Sequence, residues 1–179
     1  ILVINPGVDP VTEIPKKDLS KAEELFKGKK QRLITVSRFD KRKNHEKVIM
    51  AVRNLKEVYP DIIYTCIGYG DEEENLKKLV IELKLEEQVK FLKDIPNDFK
   101  NALVARSNVF VMPSIIHKKS VEGFGIAYIE AAQYSIPSIG GKDGGASDAI
   151  INEKTGLICD GNNLDDIYSS IDLIFKENK

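Results

Sequence analysis

Short apolar runs alternate with amphipathic helical stretches along most of this chain, and no other feature restricts its fold so strongly. Residues 31–37 read as a buried strand ending at Ser37. From Asn44, a good N-cap, the apolar positions Val48, Ala51, Val52, Leu55 and Tyr59 recur at helical spacing until Pro60 closes the run. The unit then repeats: residues 62–68 as a strand, a Gly68-Tyr69-Gly70 turn, and residues 71–83 as a helix with acids in its first turn, where the helix dipole favours them. Further strands fall at 89–92, 109–112, 136–139 and 156–158, and further helices at 96–106, after the Gly123-Phe124-Gly125 turn, at 146–150 and from Leu164 onward. A short helix at 18–27, with Gly28 as its stop, precedes the first strand. Strands this apolar need cover on both faces, so the expected fold class is α/β: a doubly wound domain with a parallel sheet and helices on both sides.

At 179 residues the chain is long enough for one well-cored domain, and residues 1–179 are read as a single unit. Its 27 basic and 28 acidic residues leave a formal charge of -1, which offers no balance for a polyanion, so nucleic acid is not an expected partner. Cys66 and Cys159 lie far apart in apolar runs without a CxxC and read as reduced core thiols; with only His45 and His117 to join them, no zinc site is expected. The first residue is Ile, and the apolar run 1–4 is too short for a signal peptide or a membrane span. Broken at Asn5-Pro6-Gly7, that run reads as a linker entering this domain from a preceding one.

In an open parallel sheet ligands bind beyond the carboxyl ends of the strands. The loops expected there are 37–44, 68–71, 93–97, 113–124 and 140–145, and these carry the chain's motifs. Arg38 stands at a strand end and Lys43 just ahead of a helix, an Arg fork and a Lys point charge suited to a phosphate or diphosphate; a solvated basic turn fits this loop equally well. Gly68 and Gly70 form half of a dinucleotide fingerprint, lacking its third glycine, and would permit a tight turn or a close approach of backbone to ligand.

The stretch 120–145 concentrates glycines and two carboxylates. Glu122 falls just before a helix and Glu130 about two turns into it, and the free amides of such a helix start attract anions. Eight residues of helix span about 12 Å, the scale of a sugar, diphosphate and ribose laid end to end. Two ordinary helix-start acids also fit this spacing, whereas a glycosidase pair, which needs about 5 to 9.5 Å across one bond, fits poorly. His117-Lys118-Lys119, just upstream, reads as a solvated loop.

Taken in order, EGFGIAYIE, the entering Asn5-Pro6-Gly7-Val8-Asp9, SRFDKRKN, IGYGDEEENL, VKFLKDI, MPS, SIPSIGGKDGG and TGLICD resemble the C-terminal, donor-binding domain of GT-B-fold retaining glycosyltransferases of family four, over nearly the whole chain. The resemblance implies a Rossmann-like half of a two-domain enzyme, with the N-terminal acceptor-binding domain absent from this chain. It implies that Arg38 and Lys43 bind the donor diphosphate, that Glu130 takes the ribose hydroxyls, and that Glu122 with the Gly123, Phe124, Gly125 and Ile126 backbone takes the transferred sugar. Gly68 and Gly70 would line the nucleotide pocket, and Val89, Lys90 and Phe91 would present backbone to the base. The chain departs from the family pattern at Ser37, where a Gly is usual, and in the exchanged Asn5-Pro6.

The implied reaction is hexosyl transfer from a nucleotide diphosphate sugar to a glycan, glycolipid or other hydroxyl acceptor. GDP-mannose is the first expected donor and a UDP-sugar the second. No cofactor and no metal are expected, because protein cations meet the leaving diphosphate and no Asp-x-Asp stands near a strand end. The fragment alone is expected to transfer nothing. The implied setting is bacterial cell-envelope synthesis in the cytoplasm or at the inner face of the cytoplasmic membrane, with any membrane contact made through the absent domain. A GT-B-like sugar-nucleotide epimerase and a non-catalytic nucleotide-sugar binding module are the alternatives. An NAD-dependent oxidoreductase is the weakest candidate, given the incomplete glycine fingerprint.

Overall fold

The computed structural model describes residues 4–177. Three of the four residues in the apolar run 1–4 therefore lie outside the described residues. Six strands, β1 (Gln31–Val36), β2 (Ile62–Ile67), β3 (Val89–Leu92), β4 (Val109–Met112), β5 (Ser138–Gly141) and β6 (Gly156–Cys159), form one sheet in the order β3-β2-β1-β4-β5-β6. Every neighbouring pair is parallel. The chain builds outward from β1 through β2 to β3, then returns to place β4 against the other side of β1 with Leu33 opposite Val109. That reversal leaves a crevice beyond the carboxyl ends of β1 and β4, the place where such sheets bind ligands.

Side chains alternate across each strand and so feed two separate cores. Leu33, Tyr64, Cys66 and Val111 face α2 (His45–Leu55), α3 (Glu73–Glu82) and α7 (Leu164–Glu177), packing on Val48, Val52, Leu76 and Ile171. Ile34, Ile63, Phe110 and Met112 face α1 (Lys16–Leu25), α4 (Asn97–Ala105), α5 (Ile126–Ala132) and α6 (Ala146–Ala149), packing on Phe26, Phe99, Leu103 and Tyr128. All six residues of β2 are buried, as a strand covered on both faces requires. Cys66 and Cys159 are free and buried, and burial pushes both thiols up, Cys159 to about 12.

Four expectations need correction. β5 begins at Ser138 rather than Ile136, because Ser135 turns left-handed (φ 60) and the Ile136 amide bonds back to Ala131, closing α5. Gly140 and Gly141 consequently belong to the strand, and a side chain on Gly141 would strike the Ser114 carbonyl. Helix α5 is only seven residues long, which puts Glu130 just over one turn in. Asn44 stands at the N-cap position of α2 but makes no side-chain cap; its backbone is left-handed (φ 62) and its side-chain Nδ2 donates to the carbonyls of Pro113 (2.9 Å) and Gly161 (2.8 Å).

Candidate donor site at the sheet crevice

The β1 loop and the β4 loop meet across the crevice and are tied together by backbone. Beyond β1, Asp40 accepts the Lys43 amide through Oδ1 (3.1 Å) and starts a 3-10 turn over Lys41–Lys43. Beyond β4, the Ile115 amide donates to the Arg42 carbonyl (2.9 Å), and Asn44 holds Pro113 as described. These contacts turn the Arg42 and Lys43 side chains toward the β4 loop, where Glu122 receives them.

Glu122 is the centre of the site. It is 8% exposed, and one oxygen, Oε2, takes Lys43 Nζ at 2.6 Å, Arg42 Nη1 at 2.7 Å and the Ser114 hydroxyl at 3.3 Å. Burial alone would raise the pKa of this carboxyl. The Lys43 hydrogen bond and charge, followed by those of Arg42, outweigh burial and hold it below the usual carboxylate range. The Glu122 backbone is fixed as well: its carbonyl accepts the Gly145 amide (2.9 Å), and it bridges Gly144 as a short parallel pair. The EGFG turn after β4 is thus stacked on the KDGG turn after β5.

Beneath the β1 loop runs a buried polar chain whose directions are fixed by chemistry. The Val111 carbonyl can only accept, so Thr35 donates to it; Tyr64 then donates to Thr35 (2.8 Å) and His45 Nδ1–H donates to Tyr64 (2.9 Å). His45 Nε2 is left as an acceptor 3.0 Å from the Ser37 hydroxyl, whose single hydrogen it shares with the Arg38 carbonyl at 3.1 Å. Burial drives the His45 pKa from 6.5 down to about 3; a backbone contact at Arg38 works against this and the Lys43 charge works with it. Ser37, the residue that departs from the family pattern, is therefore the upper end of a neutral strut that fixes the start of the Arg38 loop.

The other sequence-nominated residues divide into those at the crevice and those away from it. Arg38 is exposed at the end of β1. Glu130 lies on the α4 side of the same edge, 45% exposed, with Lys100 Nζ 4.0 Å away, and it shares a small cavity with Val36 at the carboxyl end of β1. It also lines an open cleft of about 660 Å³ bounded by residues 7–12, the head of α4 at Asn97, Asp98 and Asn101, Ile126 at the start of α5, and Gln133 and Tyr134 just past its end. Arg38, Lys43 and Glu122 do not line this cleft.

Val89 and Lys90 are in the amino half of edge strand β3, and Lys90 Nζ turns back to the Glu86 carbonyl (2.8 Å). Neither side chain is brought to the crevice. Phe91, one residue from the carboxyl end, packs edge-on against Phe39 at 5.8 Å between ring centroids.

The glycines also divide. A Cβ on Gly68 would lie 2.0 Å from the Ser37 carbonyl oxygen, and one on Gly70 would lie 2.4 Å from that of Phe39. Their small size is spent on packing the β2 turn against the β1 loop, so ligand approach is not needed to explain either. Gly125 adopts φ 83 and would drive a Cβ into the Tyr128 ring, whose hydroxyl donates to the Met112 carbonyl (2.6 Å). A Cβ on exposed Gly123 would meet no atom within 4 Å, so the fold itself does not require this glycine. Phe124, half-buried, and exposed Ile126 flank that turn. His117 and Ser120 exchange backbone hydrogen bonds (3.1 and 3.0 Å), making a tight hairpin with Lys118 and Lys119 exposed at its tip.

Arg42 and Ser114 are the residues that sequence reasoning missed. The triplet Lys41-Arg42-Lys43 signals positive charge, but only the turn geometry reveals that its last two members face Glu122. Among the described residues, no group of three or more His, Cys, Asp or Glu side chains is arranged to hold a metal ion, and no helix is long and apolar enough to cross a membrane.

Residues 16–179 match the family described as "Glycosyl transferases group 1". Among curated relatives, the GDP-mannose-dependent alpha-(1-6)-phosphatidylinositol monomannoside mannosyltransferase of Mycolicibacterium smegmatis is 31% identical over 170 residues, covering 93% of this chain and 44% of the relative. The D-inositol 3-phosphate glycosyltransferase of Pseudarthrobacter chlorophenolicus is 27% identical over 177 residues, covering 96% and 41%. The chain thus spans less than half the length of these relatives. In fold it is similar to Anabaena Alr3699/HepE in complex with UDP (TM-score 0.76, 20% identity, 92% of this chain and 44% of that one). It is also similar to the C-terminal domain of the group 1 glycosyl transferase LpcC from Francisella tularensis (TM-score 0.73, 22% identity, 96% and 89%). A six-stranded parallel sheet of this order, carrying EGFGIAYIE at its switch point and matching over nine-tenths of its length, belongs to the group 1 glycosyl transferases.

Proposed function

We propose that this domain binds the donor of a retaining glycosyltransferase that moves a hexosyl group from a nucleotide diphosphate sugar to a hydroxyl acceptor without a metal ion. One observation carries the reading: a buried carboxylate, Glu122, held by Arg42 and Lys43 at the β1/β4 crevice, with Arg38 exposed at the same strand end. Breaking the bond between the anomeric carbon and the diphosphate builds negative charge on the leaving group. Arg38 and Lys43 would receive that charge, and a fixed donor of this kind is worth about 3 to 4 kcal/mol, or about 10² to 10³ in rate. Glu122 and the open backbone at Gly123 would take sugar hydroxyls, Glu130 the ribose hydroxyls, and the carboxyl end of β3 near Phe91 the base.

Attack would come from the face the diphosphate leaves, with Glu122, paired to Arg42 and Lys43, serving as a ligand for the sugar and not as a nucleophile. The acceptor site, and with it transfer activity, would belong to a preceding domain of the full-length protein. GDP-mannose is the favoured donor, because the relative quoted at 31% identity is named as GDP-mannose-dependent, and a UDP-sugar is the second choice. The cytoplasm, or the inner face of the membrane, is the favoured site of action.

The test is calorimetry of GDP and UDP with the full-length protein. Binding of at least one nucleotide is expected, weakened about tenfold or more by Arg38→Ala. Wild-type protein that binds neither nucleotide, or an Arg38→Ala variant of unchanged affinity for both, would sink the assignment.

A further inference from the structure

Lys43 has two calls on it. In the structure its ammonium is on Glu122 at 2.6 Å, while the donor-site reading, on which this inference rests, requires the same group on the diphosphate. A carboxylate left alone in so buried a place is strongly unfavourable. Any ligand that drew Lys43 away would pay that penalty unless another cation stayed behind.

Arg42 is built to stay. Nη1 bonds Glu122 at 2.7 Å, Nη2 lies 3.7 Å from Asp40, and the Arg42 carbonyl is tied to the Ile115 amide. Its side chain is 17% exposed. Lys43, a point charge on a flexible four-carbon stem, has Glu122 as its side-chain partner among the described residues. Two cations on a single carboxylate oxygen make one of them dispensable.

We propose that Arg42 is a positioning residue of the donor site, holding and neutralising Glu122 so that Lys43 is free to transfer to the donor's diphosphate. Glu122 competes with the diphosphate for Lys43. Arg42 weakens the competitor by sharing it, and it keeps the carboxylate in place for the sugar after Lys43 has left. The trio is thus a charge exchange within a fixed frame.

The experiment is calorimetry of GDP and UDP with full-length wild type, Arg42→Gln, Glu122→Gln and the double variant. Arg42→Gln leaves Lys43 as the sole cation on Glu122, so nucleotide affinity is expected to fall about tenfold. Glu122→Gln removes the competitor, and nucleotide affinity is expected to rise above wild type while sugar transfer falls; misfolding cannot produce such a gain. The double variant is expected to recover at least wild-type affinity. A Glu122→Gln variant that binds no tighter than wild type, or a double variant as weak as Arg42→Gln, overturns the proposal. Wild type binding neither nucleotide would overturn the donor-site reading and this inference together, whereas wild-type binding with all variants unchanged overturns the inference alone.

Discussion

Lys43 Nζ and Glu122 Oε2 lie 2.6 Å apart across the β1/β4 crevice, although 79 positions separate the two residues in the chain. The contact joins the two loops that define the crevice, so the site is also a fold-closing interaction. Its stability has a definite pH sign. The folded Glu122 pKa is depressed below 4.5, so the stabilisation is present above that unfolded value and is lost as pH falls through the folded one. Thermal unfolding between pH 6 and 3 is expected to show an acid loss that Glu122→Gln lacks, the variant being less stable by about 1.5 to 3 kcal/mol at neutral pH. Parallel acid limbs in the two proteins would remove Glu122 from the stability of the crevice.

His45 responds in a different window. Its folded pKa of about 3 lies below the unfolded 6.5, so the buried neutral ring stabilises fully above 6.5 and progressively less toward 3. Between pH 6.5 and 5 this group alone accounts for about 2 kcal/mol of lost stability. His45→Gln is expected to flatten that segment of the profile while leaving the Glu122 limb below 4.5 in place. Denaturant midpoints at pH 7, 6 and 5 would show it, and an unchanged slope in His45→Gln would mean that the ring is not held neutral.

The fold was legible because it is written in local pattern: the continuous apolar run of β2 and the helical recurrence from Val48 to Leu55 need no partner to be read. Glu122, Lys43 and Arg38 could be nominated because each stands at a fixed offset from a strand end. What escaped depended on distant partners. Arg42 is adjacent to Lys43 in sequence, yet its role is set by a carboxylate 80 positions away. Asn44 looks like a helix cap because the offset suits one, but its side-chain Nδ2 reaches carbonyls 69 and 117 positions on. Gly68 and Gly70 look like ligand glycines until the Ser37–Phe39 backbone is found filling the space a Cβ would take.

Gly123 and Gly125 separate binding from folding within one turn. Gly125→Ala forces a left-handed residue (φ 83) and a Cβ 2.4 Å from the Tyr128 ring, so a loss of about 2 kcal/mol or more is expected. Gly123→Ala meets nothing in the protein, so its melting temperature is expected to stay within about a degree of wild type while the donor KM rises, because the methyl occupies the space proposed for the sugar. Equal destabilisation by both changes would mean that Gly123 serves the fold and would remove it from the donor site.

Glu130 gives the sharpest check on nucleotide orientation, because its partner would be a hydroxyl that can be deleted from the ligand. The carboxylate is 45% exposed, with Lys100 at the 4.0 Å limit of contact, so it is open to a new hydrogen-bond donor. If it accepts from the ribose, wild type should bind a nucleoside diphosphate more tightly than its 2′-deoxy analogue, by about 1.5 to 3 kcal/mol for a hydrogen bond to a charged group. Glu130→Ala should weaken the ribonucleotide to the level of the deoxy form and leave the deoxy form unaffected, so that discrimination disappears. Calorimetry on the four combinations decides the point. Discrimination that persists in Glu130→Ala would place the ribose elsewhere, and the cleft of about 660 Å³ beyond Glu130 would then be the next place to look for it.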